Sequence, residues 1–534
     1  MAIGLAVTLL AIAWLALGAA YAEDETPTVV DLLLSDPAAS CDAVEPHIDS
    51  GAYDAVSGRH YVAAVWVQRR SLGEGCASGG DVRLRWAHVI TQAAGWGSAV
   101  DPLQGLLLPN EMATHADVAV EGTTAHVLAV TRILPATGGD YPVTTTLRYV
   151  AYDMSTGSRT ASALIRQDVA ASASAMQLLE AAITVSDDGV PHVVYSRRTG
   201  LGNDVNDVSD IWYTRPLSGT WDVGVELTDS SDLRRAYHPR IAWSRSLTAP
   251  YQGYVHFTWG FHKAPTSDVS DYDGDVYYRR CLDNAVEGGT IVCGDETLYV
   301  DQTSNKTHPR PTIAAKGDTV ALVWNQCVSL DPNPPCELFA LIYRMSGRSG
   351  GDFAIQANNN VPPYEVISNN RVDFGSYSYK YVGTDDEGIE YGPYLRPTAV
   401  ISPDGGLFVA WQIVSATLGG SDAHYWPSAI TTTWGYSPSI DQGKFTVWQD
   451  RGWFSGDHTD ARFIPDMAAA PLEAEPQGGF HILLMRSDDV NGEQRYRIYY
   501  TYFDEAFVPP QSGGGGNEDP YPYKIALPLI VRGS

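Results

Sequence analysis

The chain repeats itself. A segment carrying His, Pro or Arg enters a small apolar strand, a turn leads to a second, strongly apolar strand ending in an aromatic residue, and a later third strand is rich in Tyr. His238-Pro239-Arg240-Ile241-Ala242-Trp243, then Tyr254-Val255-His256-Phe257-Thr258-Trp259, then Asp275-Val276-Tyr277-Tyr278-Arg279-Arg280 show the order plainly. The next unit follows with His308-Pro309-Arg310-Pro311-Thr312-Ile313, Val320 to Trp324 and Leu341 to Arg344. Extended both ways, first strands fall near His47, His115, Ala181, His238, His308, Leu395 and Ile464, at intervals of roughly 70 residues. Each of these seven units is long enough for a four-stranded antiparallel blade and too small to bury both faces alone, so the units must pack around an axis. The expected fold is all-β, a β-propeller of about seven four-stranded blades spanning residues 23–510. A solenoid satisfies the same period but needs capping repeats, and none is evident.

The last unit reaches Pro509-Pro510 and a glycine-rich spacer soon after its third strand, which leaves little room for a fourth. Thr28-Val29-Val30-Asp31-Leu32-Leu33-Leu34 has the length and apolarity to supply it. An N-terminal strand in that place would close the ring and remove an exposed edge.

The N-terminus itself reads as an export signal. An apolar stretch from Ile3 to Ala20 runs into Ala20-Tyr21-Ala22 and the acidic Glu23-Asp24-Glu25, the small-x-small form of a signal-peptidase site, so residues 1–22 are expected to be removed. No Lys or Arg precedes the stretch, and retention as an N-terminal anchor is the other reading. Six cysteines agree with an oxidising destination: Cys281 with Cys293 and Cys327 with Cys336 are close in sequence, and Cys41 with Cys76 follows by elimination. No Cys-x-x-Cys suggests a metal instead. The formal charge of −28 would repel a phosphate backbone, which excludes nucleic acid as the natural partner.

Two resemblances add to this. Ser402-Pro403-Asp404-Gly405-Gly406 turning into Leu407-Phe408-Val409-Ala410-Trp411, with Asp210-Ile211-Trp212-Tyr213-Thr214-Arg215 as a third strand, resembles the sialidase-like propeller repeats of secreted bacterial proteins. Ser402, Asp404 and Gly406 match the first half of the sialidase Asp-box, while Phe408 and Val409 stand in place of its Thr and Trp, so no sialidase nucleophile is carried over. At the other end, the flexible linker 511–522 precedes Tyr523-Lys524-Ile525-Ala526-Leu527-Pro528-Leu529-Ile530-Val531-Arg532, which is similar to Leu-Pro-Leu-containing ends of exported bacterial proteins. That resemblance implies an envelope-associated tail over residues 523–534; one more strand docked on the propeller is the alternative.

Propeller geometry brings the entries of the first strands to one channel mouth. Aligning the units there superposes Asp49, Asp117, Arg240, Arg310, Arg396 and Asp466, with His47, His115, His238 and His308 two residues earlier. Arginine forks suit the carboxylate of an anionic sugar, and a carboxylate or imidazole nearby can act as general acid or base. The competing reading is a ring of Arg–Asp pairs that fixes blade register. Elsewhere Asp271-Tyr272-Asp273-Gly274-Asp275 offers alternating carboxylates for calcium through Asp271, Asp273 and Asp275, or a solvated acidic turn. No Walker-type or His-Glu-x-x-His motif occurs. Function therefore divides between a secreted or surface-attached propeller that binds a glycan or a cell-envelope protein without catalysis, and a sialidase-like hydrolase or propeller-type polysaccharide lyase acting on an acidic sugar.

Overall fold

The structure is a computed structural model that describes residues 32–52, 60–72, 75–88, 95–133, 143–170, 177–198, 209–217, 219–228, 234–247, 251–263, 274–284, 290–294, 297–299, 311–327, 336–344, 365–366, 397–401, 407–416, 425–436, 447–455, 462–469, 479–490 and 493–504. Every regular element among them is a β-strand. Among the described residues no helix is long and apolar enough to cross a membrane. The export signal 1–22, the linker 511–522 and the tail 523–534 lie outside the described residues.

The strands fall into antiparallel groups that follow the repeats. Glu111–Glu121, Thr124–Ile133, Val143–Asp153 and Ser158–Ala170 pair in chain order as a complete four-stranded meander. Thr312–Lys316, Thr319–Cys327, Cys336–Arg344 and Glu365–Val366 form another, and Thr398–Ile401, Leu407–Ala416, Tyr425–Tyr436 and Val447–Ser455 a third. The groups opening with Ala43–Ser50, Gln177–Val185 and Arg234–Arg245 have the same order, with short outer pairings such as Leu84 with Val100 and Trp212 with Glu226 in the fourth place. In the last group Arg462–Ala469, Gly479–Val490 and Glu493–Asp504 are joined by Leu32–Leu33, with Leu32 opposite Tyr500 and Leu33 opposite Tyr499. The expected N-terminal strand is therefore there, although Thr28 to Asp31 lie outside the described residues. Neighbouring groups meet through their first strands in chain order, and Arg462–Ala469 lies against Ala43–Ser50.

Burial explains which strands the sequence makes conspicuous. Tyr61 to Val67 are all buried, because a second strand has a neighbouring group against each face and needs apolar residues on both. The outer strand Ser158–Ala170 is largely exposed and correspondingly polar. Apolar clusters sit between successive groups: Val65, Leu84, Val118 and Val127 join the first two, and Val194, Tyr213, Phe257 and Trp259 join the third and fourth. The cluster of Leu34, Trp66, Leu483 and Ile498 joins the first group to the last, so the two ends of the repeat region share one core.

Cys41–Cys76 and Cys281–Cys293 are disulfide-bonded, closing 35 and 12 residues of chain. Loops of those lengths give about 3–4 kcal/mol each from restriction of the unfolded chain. Cys327 and Cys336 stand opposite one another in their strand pair, and their side chains lie outside the described residues.

Candidate functional site

The site begins with a bulge. Pairing of first to second strands slips between Val44 and His47, between Tyr237 and Arg240, and between Phe463 and Asp466. Pro46, Pro239 and Pro465 fall in these slips, where a missing N–H costs no ladder bond. Glu45 and His238, each just before its proline, take the left-handed φ values of 52° and 50°, which are uncommon for residues other than glycine. The residue resuming the ladder is His47, Arg240 or Asp466. The sequence superposition of Asp49 with Arg240 and Asp466 is thus displaced by two residues, and His238 corresponds to Glu45 rather than to His47.

Bulges re-aim side chains, and here the first strands line a shared cavity of about 390 Å³ that includes His47, Asp49, Asp117, His238, Arg240 and Asp466. Six of the residues singled out from the sequence therefore do meet. His308, Arg310 and Arg396 lie outside the described residues, while Pro311 and Pro397, which follow the two arginines in sequence, line the cavity. Asp271 and Asp273 also lie outside them, and Asp275 stands opposite Phe261 near the start of strand Gly274–Asp283.

The carboxylates are committed to neighbouring strands. Asp49 Oδ2 accepts the Val120 N–H at 2.7 Å, Asp117 Oδ2 that of Ile183 at 2.9 Å, and Asp466 Oδ2 that of Ile48 at 2.9 Å. Asp466 Oδ1 also accepts the Thr398 hydroxyl at 3.0 Å. Each thus stitches its own first strand to the next or previous one, through backbone N–H groups and a hydroxyl rather than through the Arg–Asp pairs of the register-fixing reading. Burial pushes the Asp49 carboxyl up to about 7, helped by the charges of Asp117 and Asp466 and opposed by the Val120 and Ser50 N–H groups.

The imidazoles are oriented by partners. His47 Nδ1 lies 3.3 Å from Asp117 Oδ1 and 3.5 Å from Asp466 Oδ2. Burial opposes its charge, but these carboxylates outweigh that and hold its pKa above the ordinary value. His115 donates from Nε2 to the Ala181 carbonyl at 2.7 Å and places Nδ1 3.9 Å from Glu45 Oε2. Burial, then the proximity of His47, lowers its pKa. His238 Nδ1 lies 2.8 Å from Glu180 Oε2. Arg240 donates to its neighbour Pro239's carbonyl at 3.3 Å and makes no ion pair among the described residues.

Two features were not read from the sequence. Glu45 and Glu180 sit in first strands without any motif to mark them. The second is a buried pair that recurs between second and third strands: His126 with Tyr149, His192 with Tyr213, His256 with Tyr278 and His481 with Tyr500, each Nδ1 to hydroxyl oxygen at 2.7–2.9 Å. Its signal was present, a His between apolar residues early in the second strand and a Tyr in the third.

No protein-family model matches this chain, and no curated protein matches it. Solved structures do. The chain is similar to the GH93 α-L-arabinofuranosidase of Fusarium graminearum in complex with arabinobiose, at 12% identity and a TM-score of 0.39 over 88% of this chain and 97% of that one. It is similar to an ulvan lyase of polysaccharide lyase family PL25 at 8% identity and a TM-score of 0.45, over 89% and 96% of the two chains. It is also similar to the intramolecular trans-sialidase of Ruminococcus gnavus, at 10% identity and a TM-score of 0.37 over 90% and 99%.

Proposed function

We propose that the chain is an exported β-propeller of seven four-stranded blades, closed by pairing of Leu32–Leu33 with the last blade, that acts on an acidic carbohydrate in the cavity between its first strands. The observation that carries this is the pairing of His238 with Glu180 two residues from Arg240, with both His238 and Arg240 lining that cavity. A guanidinium fork matches a sugar carboxylate, and an imidazole held by a carboxylate is the usual form of a positioned acid–base group. Glu180 engages Nδ1, and proton exchange with a substrate is assigned to Nε2. In a lyase reaction His238 takes the proton from the carbon next to the sugar carboxylate, whose developing charge Arg240 holds. The electron pair forms a carbon–carbon double bond as the β C–O bond breaks, and the departing oxygen receives a proton. Arg310 and Arg396, each just before a proline as His238 is in its own repeat, would add further forks.

Export rests on the apolar N-terminal stretch and on the two disulfides, which persist in oxidising compartments. Residues 1–22 are assigned to the export signal, 511–522 to the linker and 523–534 to an envelope-associated tail, and calcium binding to Asp271, Asp273 and Asp275.

A second reading, ligand binding without turnover by a glycan or an envelope protein, is favoured by the engagement of Asp49, Asp117 and Asp466 in strand-to-strand bonds. Incubation with a panel of uronic-acid polysaccharides and a neutral control separates the two. Turnover predicts unsaturated products or new reducing ends, lost in His238→Gln and shifted to higher KM in Arg240→Lys. Binding without product supports the second reading; neither binding nor product overturns both.

A further inference from the structure

Where the first two first-strands meet, three donors from different chain positions converge: one ligand atom from each of Glu45, His47 and His115 lies within 4.8 Å of the other two. We propose that these residues bind a divalent transition metal, zinc foremost. The inference is independent of the carbohydrate reading.

The donor set suits the ion. Two imidazole nitrogens and one carboxylate oxygen are the ligands that zinc and its neighbours take, and hard ions such as calcium prefer oxygen alone. Around tetrahedral zinc the donors stand about 3.4 Å apart, so closing the present arrangement needs side-chain movements on the order of an ångström. Each ring is anchored through one nitrogen. His115 gives its Nε2 hydrogen to the Ala181 carbonyl, which leaves the Nδ1 lone pair toward Glu45. His47 presents Nδ1 to Asp117 and Asp466, which leaves Nε2 as its donor. A ligating imidazole held through its other nitrogen by a carbonyl or carboxylate is the arrangement that fixes tautomer and raises ligand basicity. The two histidine residues are nearly enclosed, at 9% and 7% exposure, and their ring centroids are 5.5 Å apart in edge geometry. Glu45 reaches them from the left-handed bulge, at φ 52°. Asp117 and Asp466 add negative charge beside the site, which offsets the charge of a divalent ion.

Three protein ligands leave one position of a tetrahedron for water or a ligand oxygen. The ion would also tie Ala43–Ser50 to Glu111–Glu121, since Glu45 and His47 belong to the first strand and His115 to the second.

The test uses the full chain, stripped with a chelator and titrated with zinc alone by calorimetry. One site per chain is expected, with binding weakened at least ~10-fold in both Glu45→Gln and His115→Ala, and with cobalt substitution giving the intense visible bands of a tetrahedral ion. Should His115→Ala fail to fold, X-ray absorption of the zinc-loaded wild-type protein replaces it and must show two imidazoles and one carboxylate. No stoichiometric binding, binding unchanged in the variants, or a ligand shell without two imidazoles overturns the proposal. Because no substrate enters the assay, its outcome is separate from that of the polysaccharide panel.

Discussion

Glu111 has no exposed surface, yet it is an acid that remains charged. Arg148 grips it with two bonds, Nε to Oε1 at 2.7 Å and Nη2 to Oε2 at 2.9 Å. Burial pushes its pKa up, but Arg148 and the Thr131 hydroxyl outweigh that and leave it below the ordinary value. Removing one partner strands the other charge in the interior, so Arg148→Met is expected to cost about 3–5 kcal/mol in urea unfolding, against a much smaller loss when Glu111→Gln accompanies it. The buried histidines act through protonation. Burial lowers the pKa of His126 to about 4 and of His256 and His481 to about 3, so the folded protein binds fewer protons than the unfolded chain below pH 6.5. Their contribution to stability is full above that value and declines as pH falls toward 3 to 4. The urea midpoint is expected to hold above pH 6.5 and fall through that window, less steeply in a His256→Gln variant; a midpoint unchanged down to the lower limit would show that these rings are not buried neutral.

At the scale of the element, legibility followed burial. Second strands such as Tyr61–Leu72 announce themselves because both faces are covered, and an uninterrupted apolar run results. The outer strand Ser158–Ala170, exposed at most positions, carries no such run and was not seen. Six described entry residues line one cavity, but in a register that differs from the sequence superposition. The chain places two residues opposite one at each proline-containing bulge, as Glu45 and Pro46 do between Val44 and His47, and the proline marks the irregular place without giving the register on either side of it. Hence Asp49 was set beside Arg240, and Glu45 and Glu180, partners of His115 and His238, were overlooked. Gly80 shows how tight such irregular places become. It lies beside the slip between Arg69 and Ser71 and faces Ala113 of the next group, and an added Cβ would come within 1.9 Å of the Gln68 carbonyl oxygen. Gly80→Ala must displace backbone rather than a flexible side chain, and a loss of about 1–3 kcal/mol is expected in denaturant unfolding; a neutral result would mean that the strand edge yields freely.

For the whole molecule the decisive feature is how the repeat region joins its ends. The N-terminal strand was legible because the last repeat lacked a fourth strand and Leu32 to Leu34 offered one. Leu34 is only 2% exposed, and its backbone N–H bonds the Ile498 carbonyl at 2.8 Å while Arg85 holds its carbonyl at 2.6 Å. Leu34→Ala is therefore expected to cost about 2–5 kcal/mol, as Leu483→Ala should in the middle of the same sheet, and an unchanged melting temperature would show that the N-terminal segment does not hold the last group of strands. The proposed function is centred on the cavity lined by the first strands. Crystals soaked with an acidic oligosaccharide test it most directly: the account predicts a sugar carboxylate on the Arg240 guanidinium with the His238 ring beside the adjoining carbon, and sugar bound only on the outer face, with the cavity empty of it at saturating concentration, would contradict it.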